Sequence, residues 1–184
     1  MGGGRRIAHS QTAATFSHPA AQIWPWLVEA PRLKQWLGGF VDSIPEGGGG
    51  LRVGARSKEL IDLDGRRWEL LSEVTALDPH HRIRLHMVGD GFEDDSEYVL
   101  FEHDGVTTVT YKNDAHYSML FARLMSPIIC HDVERKVQTD LAKLRGLLAR
   151  EPVTAIAPPR PGNTPAFAGC CAPEPTAPAP RRAH

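Results

Sequence analysis

Phenols, imidazoles and carboxylates are the side chains here that can polarise a carbonyl or carry a proton. They fall at Tyr98, Tyr111, the pair His116-Tyr117, and His131 with Glu134. Gathered on a dry surface, such groups can move a proton from a carbon beside a carbonyl without a metal. Their placement along the chain decides whether they gather. Tyr98 and Tyr111 lie in alternating segments that can turn them inward. His131 sits roughly 120° away from the apolar stripe of its helix, which directs it to solvent. Glu134 lies nearer the edge of that stripe, with Arg135 and Lys136 as neighbours able to pair with it.

Other chemistries lack their signatures. No Ser-His-Asp order and no HExxH occurs. The acidic run "GFEDDSE" at 91–97 lacks the spacing of a calcium loop and reads as a solvated hairpin end. "GGGG" at 47–50 is not followed by the Lys-Ser/Thr of a phosphate-binding loop and reads as a flexible connection. Cys130, Cys170 and Cys171 are too few and too irregular for a disulfide framework or a zinc site. No metal and no cofactor is expected. A net charge of -1 gives no basic field for nucleic acid. No apolar run suits stable insertion in a membrane, and "MGGGRRIAHS" lacks the apolar stretch of a secretory signal. Arg6 stands where a myristoylation start wants Ser or Thr. The expected location is the cytoplasm.

The elements that must hold these side chains follow from periodicity. Residues 5–16 read as a first strand. "SHPAAQIW" opens a helix, with Ser17 as its cap and Pro19 in the first turn. "APRLKQWLGG" reads as a second short helix closed by Gly38 and Gly39. Three tryptophans crowd this region. Trp24 is expected in the core, Pro25 can turn Trp26 outward, and Trp36 either packs inside or borders an opening beside Phe40. After residue 39 the period becomes two. "RWELLSEVTAL" puts Trp68, Leu70, Ser72 and Val74 on one face, and "HRIRLHMV" sets Ile83, Leu85 and Met87 against Arg82, Arg84 and His86. One dry face and one wet face describe an antiparallel meander, here of six or seven strands. Asp-Gly at 64–65 and 104–105 and the proline turn "LDPHH" supply its hairpins.

The last element returns to a helical period. Ser126 and Pro127 open it, and Cys130, Val133, Val137, Leu141, Leu144 and Leu148 form one stripe. Arg135, Lys136, Asp140, Lys143 and Arg145 occupy its other faces. A stripe of that length needs a broad apolar partner, which only the dry face of the sheet offers. Beyond Glu151 the composition changes. Residues 152–184 hold nine of the fifteen prolines and little periodic apolar content, so they read as a disordered Pro/Ala-rich tail following a domain at 1–151. The tail, with Cys170-Cys171, is a possible docking peptide for a protein partner or a redox handle.

This order of elements resembles the START/Bet v 1-like superfamily, and individual stretches agree. "HPAAQIWPWLVEAPRLKQW" is similar to the opening of bacterial polyketide cyclase/dehydrase-like members. "VGAR" at 53–56, "EVTALDPHHRIRL" at 73–85 and "VQTDLAKLRGLL" resemble later family signatures. Ala30 departs from the Asp common in bacterial members, which removes a helix cap. The resemblance covers roughly residues 8–150. It implies an α+β helix-grip fold: a curved antiparallel sheet wrapped around a long C-terminal helix, with an apolar cavity between them. No shared catalytic residue comes with it, and a fold does not fix a function.

Such a cavity takes a hydrophobic small molecule: a lipid, a polyketide or an aromatic compound. At about 25 cal/mol per Å² of apolar surface, burying a few hundred Å² of ligand gains several kcal/mol before the costs of association. The residues expected to line it are Trp68, Leu70, Leu85, Met87, Tyr98, Tyr111, Cys130 and Glu134, with Trp36 and Phe40 at the mouth. Met87 and Met125 would make an adaptable wall. Few polar groups are expected inside, which favours a carrier or sensor over the alternative, a cofactor-free cyclase, aromatase or dehydratase. A third reading is a partner-binding module resembling Hsp90-activator-like proteins.

Overall fold

A computed structural model describes residues 5–63, 65–118 and 133–153. Seven strands form one antiparallel sheet: β1 (Arg5–Phe16), β2 (Phe40–Glu46), β3 (Arg56–Leu63), β4 (Arg66–Asp78), β5 (Arg82–Gly89), β6 (Phe92–His103) and β7 (Val106–Ser118). Their spatial order is β1-β7-β6-β5-β4-β3-β2, so the first strand closes onto the last and the rest is a meander. Two short helices, α1 (Ala20–Val28) and α2 (Ala30–Trp36), lie between β1 and β2, and α3 (Val133–Leu148) follows the sheet. This is the helix-grip α+β architecture. Ser126, Pro127, Cys130, His131, Met125 and the tail beyond residue 153, Cys170 and Cys171 included, lie outside the described residues.

The period-two reading locates the inner face. Leu70, Ser72, Val74 and Ile83 are buried, while Leu71 and Val88, one residue out of phase with Leu70 and Met87, are exposed. Register shifts between Phe40 and Asp42 and between Val74 and Ala76 mark bulges, which bend strands and increase their twist. The sheet curves accordingly. At the β6–β7 hairpin Asp104 and Gly105 both take positive φ, 51° and 74°, as a tight two-residue turn requires.

The stripe of α3 finds the partner its sequence calls for. Leu141, Leu144 and Leu148 are fully buried in one cluster with Phe16, Ile23, Trp24, Val74, Ile83, Leu100 and Val109, and Val137 packs against it. Each such side chain contributes roughly 1.5–3 kcal/mol on burial. Asp140 departs from its expected exposure. It is buried, with Lys136 Nζ at 2.8 Å and Lys143 Nζ at 3.3 Å from its carboxylate. A buried carboxylate needs such cations, and both come from its own helix.

The tryptophan region is core. Trp24, Trp26 and Trp36 are all buried, so Pro25 does not turn Trp26 outward. Trp36 Nε1 donates to the Trp26 carbonyl at 2.8 Å, tying α2 to α1. Ser17 does not cap α1. The cap position is Pro19, and the free amide of Ala20 donates instead to Glu102 Oε2 of β6 at 2.7 Å. A carboxylate at a helix N-terminus also meets the positive end of the helix dipole.

Candidate functional site

Between the inner face of the sheet, α2 and α3 lies a cavity of about 470 Å³. Its floor comes from alternate residues of the meander: Leu70, Ser72 and Val74 of β4, Ile83, Leu85 and Met87 of β5, and Ile61 of β3. Val28, Leu33, Leu37 and Phe40 close the side of the short helices.

The walls are mostly apolar, but one end is not. Alternation along β6 turns Phe92, Asp94, Ser96 and Tyr98 into the cavity, and along β7 it turns in Tyr111, Asn113 and Tyr117. The β6–β7 register sets Tyr98 opposite Tyr111, Ser96 opposite Asn113 and Phe92 opposite Tyr117. The cross-strand rings meet: centroids are 4.8 Å apart for Tyr98–Tyr111 and 5.5 Å for Phe92–Tyr117. Such facing pairs fix the inward geometry of both strands.

Asp94 is the centre of this end. It is 1% exposed. Ser96 Oγ donates to its Oδ2 at 2.6 Å, and Asn113 Nδ2 donates to its Oδ1. Ser96 Oγ also lies 3.0 Å from the Tyr111 hydroxyl and 3.2 Å from Asn113 Nδ2. Burial pushes the Asp94 carboxyl from 3.8 up to about 6. The bonds from Ser96 and Asn113 oppose that rise, and the charges of Asp95 and Asp114 add to it. The phenols of Tyr98 and Tyr111 are also driven up, first by burial and then by neighbouring groups, Tyr111 for Tyr98 and Asp94 for Tyr111. Both stay protonated at any physiological pH.

A second acid, Glu59 of β3, lines the cavity farther along the sheet. Burial raises its pKa, and hydrogen bonds from Ser57 at 2.6 Å and Ser43 at 2.8 Å hold it back. Lys136 of α3 also reaches the cavity, with its ammonium on Asp140.

Of the residues expected to line a pocket, Phe40, Leu70, Leu85, Met87, Tyr98 and Tyr111 do so. Trp36 does not: it is 2% exposed within the core cluster and bonded to Trp26. Trp68 is half-buried near the β3–β4 turn and stands off the cavity wall. Cys130 and the side chain of Glu134 lie outside the described residues. "GFEDDSE" is not a solvated hairpin end throughout. Glu93, Asp95 and Glu97 take the opposite phase on the wet face, where His86 lies 3.2 Å from Asp95 and 3.9 Å from Glu93 and Arg84 lies 3.8 Å from Asp95. Asp94, Ser96, Asn113 and Glu59 were missed. Continuing the alternation back from Tyr98 would have placed Ser96 and Asp94 inward.

The sequence profile of a family described as "Polyketide cyclase / dehydrase and lipid transport" matches residues 8–149. The chain belongs to this family. Solved structures share its helix-grip fold of the START/Bet v 1-like superfamily. An uncharacterised protein from Rhizobium leguminosarum superposes with a TM-score of 0.58 at 15% identity, over 80% of this chain and 99% of that one. Ara h 8.0201 gives 0.60 at 16% identity, over 79% and 100%. Truncated norcoclaurine synthase from Thalictrum flavum gives 0.57 at 14% identity, over 80% and 97%. At these identities the likeness is one of fold. No curated protein matches the sequence. No helix among the described residues is long and apolar enough to cross a membrane.

Proposed function

We propose that this member of the polyketide cyclase/dehydrase and lipid transport family binds a hydrophobic small molecule between α3 and the sheet, as a carrier or sensor. The observation that carries the reading is the cavity of about 470 Å³ floored by Leu70, Val74, Ile83, Leu85 and Met87. A volume of that order suits a ligand of drug-like size, and an apolar wall supplies its affinity. Native mass spectrometry of the protein purified from its own host tests this. A co-purified apolar compound, released on denaturation, is the expected result. An unliganded spectrum, together with failure to bind a neutral dye such as Nile red, contradicts it.

Asp94 favours a second reading, that of a cofactor-free enzyme. A carboxylate with a pKa of about 6, buried beside two protonated phenols, is suited to take a proton from the carbon next to a bound carbonyl while a phenol donates to the carbonyl oxygen. The proton would pass from carbon to Asp94 and return from it to carbon or oxygen. Loss of the α-proton signal of 2-tetralone in D₂O, followed by NMR, measures that step. Acceleration by the wild type that vanishes in Asp94→Asn supports catalysis, and equal rates with and without protein argue for binding alone.

A further inference from the structure

The hydrogen bonds around Asp94 have a direction. Ser96 has one hydroxyl proton and gives it to Asp94 Oδ2, so the 3.0 Å contact with Tyr111 is made with the Tyr111 proton. Asn113 Nδ2 has two protons and places them on Asp94 Oδ1 and on Ser96 Oγ. The donors of Ser96, Asn113 and Tyr111 are thus engaged with one another. What they leave for a guest is acceptor capacity: the remaining lone pairs of Asp94, the Tyr111 oxygen and Asn113 Oδ1. The phenol of Tyr98 is a further donor on this wall, and it is neutral.

The charges point the same way. Among the described residues lining the cavity the acids are Asp94 and Glu59, and the one cation is Lys136, whose ammonium sits 2.8 Å from Asp140. Asp95 and Asp114, on the strands that carry Asp94 and Asn113, add negative potential.

We propose that the polar end of the cavity selects apolar ligands headed by a protonated amine and disfavours those headed by a carboxylate. This rests on the binding reading above and specifies its ligand class. A cationic head would donate to the free lone pairs of Asp94 and supply the counter-charge that no cavity-lining side chain among the described residues gives it. A carboxylate head would bring a second anion to a wall that offers it phenols, those of Tyr98 and Tyr117 among them, but among its described residues no cation except Lys136, which Asp140 holds. A neutral alcohol falls between the two.

Displacement of Nile red by decylamine, decanol and decanoate at pH 7.5, with wild-type protein and Asp94→Asn, tests the inference with chains of one length. The expected order in the wild type is amine, alcohol, carboxylate, with the amine about tenfold or more ahead of the alcohol. In Asp94→Asn the ratio of amine to alcohol should fall close to one. Decanoate binding the wild type as tightly as decylamine overturns the proposal, and that comparison needs no variant. So does an amine preference that survives in Asp94→Asn. Nile red that does not bind at all overturns the binding reading itself, and this inference with it.

Discussion

Ser96 and Asp94, two residues apart on β6, both face the cavity, and the Ser96 hydroxyl donates to the Asp94 carboxylate at 2.6 Å. The strand thereby carries a carboxylate into an apolar chamber together with a group that stabilises its charge. The stabilisation is incomplete, because burial still lifts the Asp94 pKa to about 6.

That residual cost sets the first prediction. A carboxyl whose pKa rises on folding binds more protons folded than unfolded between the two values, so its contribution favours folding at low pH and is lost as pH rises through about 6. From 3.8 to about 6 the difference is on the order of 3 kcal/mol. Asp94→Asn should therefore melt at a higher temperature than the wild type at pH 8. The gap should close as pH falls from about 6 toward 4 in thermal melts. A gap that does not change with pH would show that another group dominates.

Trp36→Phe should destabilise the fold by about 2–4 kcal/mol in urea titrations, because it leaves the buried Trp26 carbonyl unpaired and opens space in the core. Ligand affinity should change little once the protein is folded, since Trp36 stands off the cavity wall. A large loss of affinity with unchanged stability would return Trp36 to the binding site.

Gly89→Ala probes the cavity floor from its own face, since residue 89 is in phase with Leu85 and Met87. A Cβ at residue 89 would come within 2.3 Å of Leu70 Cδ2. Leu70 lines the cavity, so the shift of its flexible tip alters the cavity floor. Rotating one side chain costs roughly 0.5–1.5 kcal/mol, so stability should fall slightly while Nile red affinity falls clearly. Unaltered dye binding would mean that the cavity floor at Leu70 is not part of the site.

Much of this fold is legible in the sequence because burial imposes a period. The alternation at Leu70-Ser72-Val74 and Ile83-Leu85-Met87 reports a sheet with one dry face, and Leu141, Leu144 and Leu148 report the helix that covers it. The site is less legible where polar residues obey the same period. Asp94 and Ser96 sit in a run whose acidity suggests solvent, yet they take the inward positions of β6 as Tyr98 does. Composition misleads there, and phase does not. Trp36 escaped for a different reason: an aromatic at the end of a short helix suits a cavity mouth or a core equally well, and its bond to the Trp26 carbonyl is a tertiary fact. Asp140 escaped because the helical wheel puts it among lysines, which here neutralise it in place rather than mark a wet face.

The most direct test of the central claim uses side chains one residue apart on opposite faces of the sheet. Leu70, Leu85 and Met87 line the cavity, whereas Leu71 and Val88 face outward. Methyl NMR during titration with decylamine should move the signals of Leu70, Leu85 and Met87 saturably and leave those of Leu71 and Val88 in place. Shifts confined to Leu71 and Val88, or no saturable shift at any of the five, would contradict a ligand between helix and sheet.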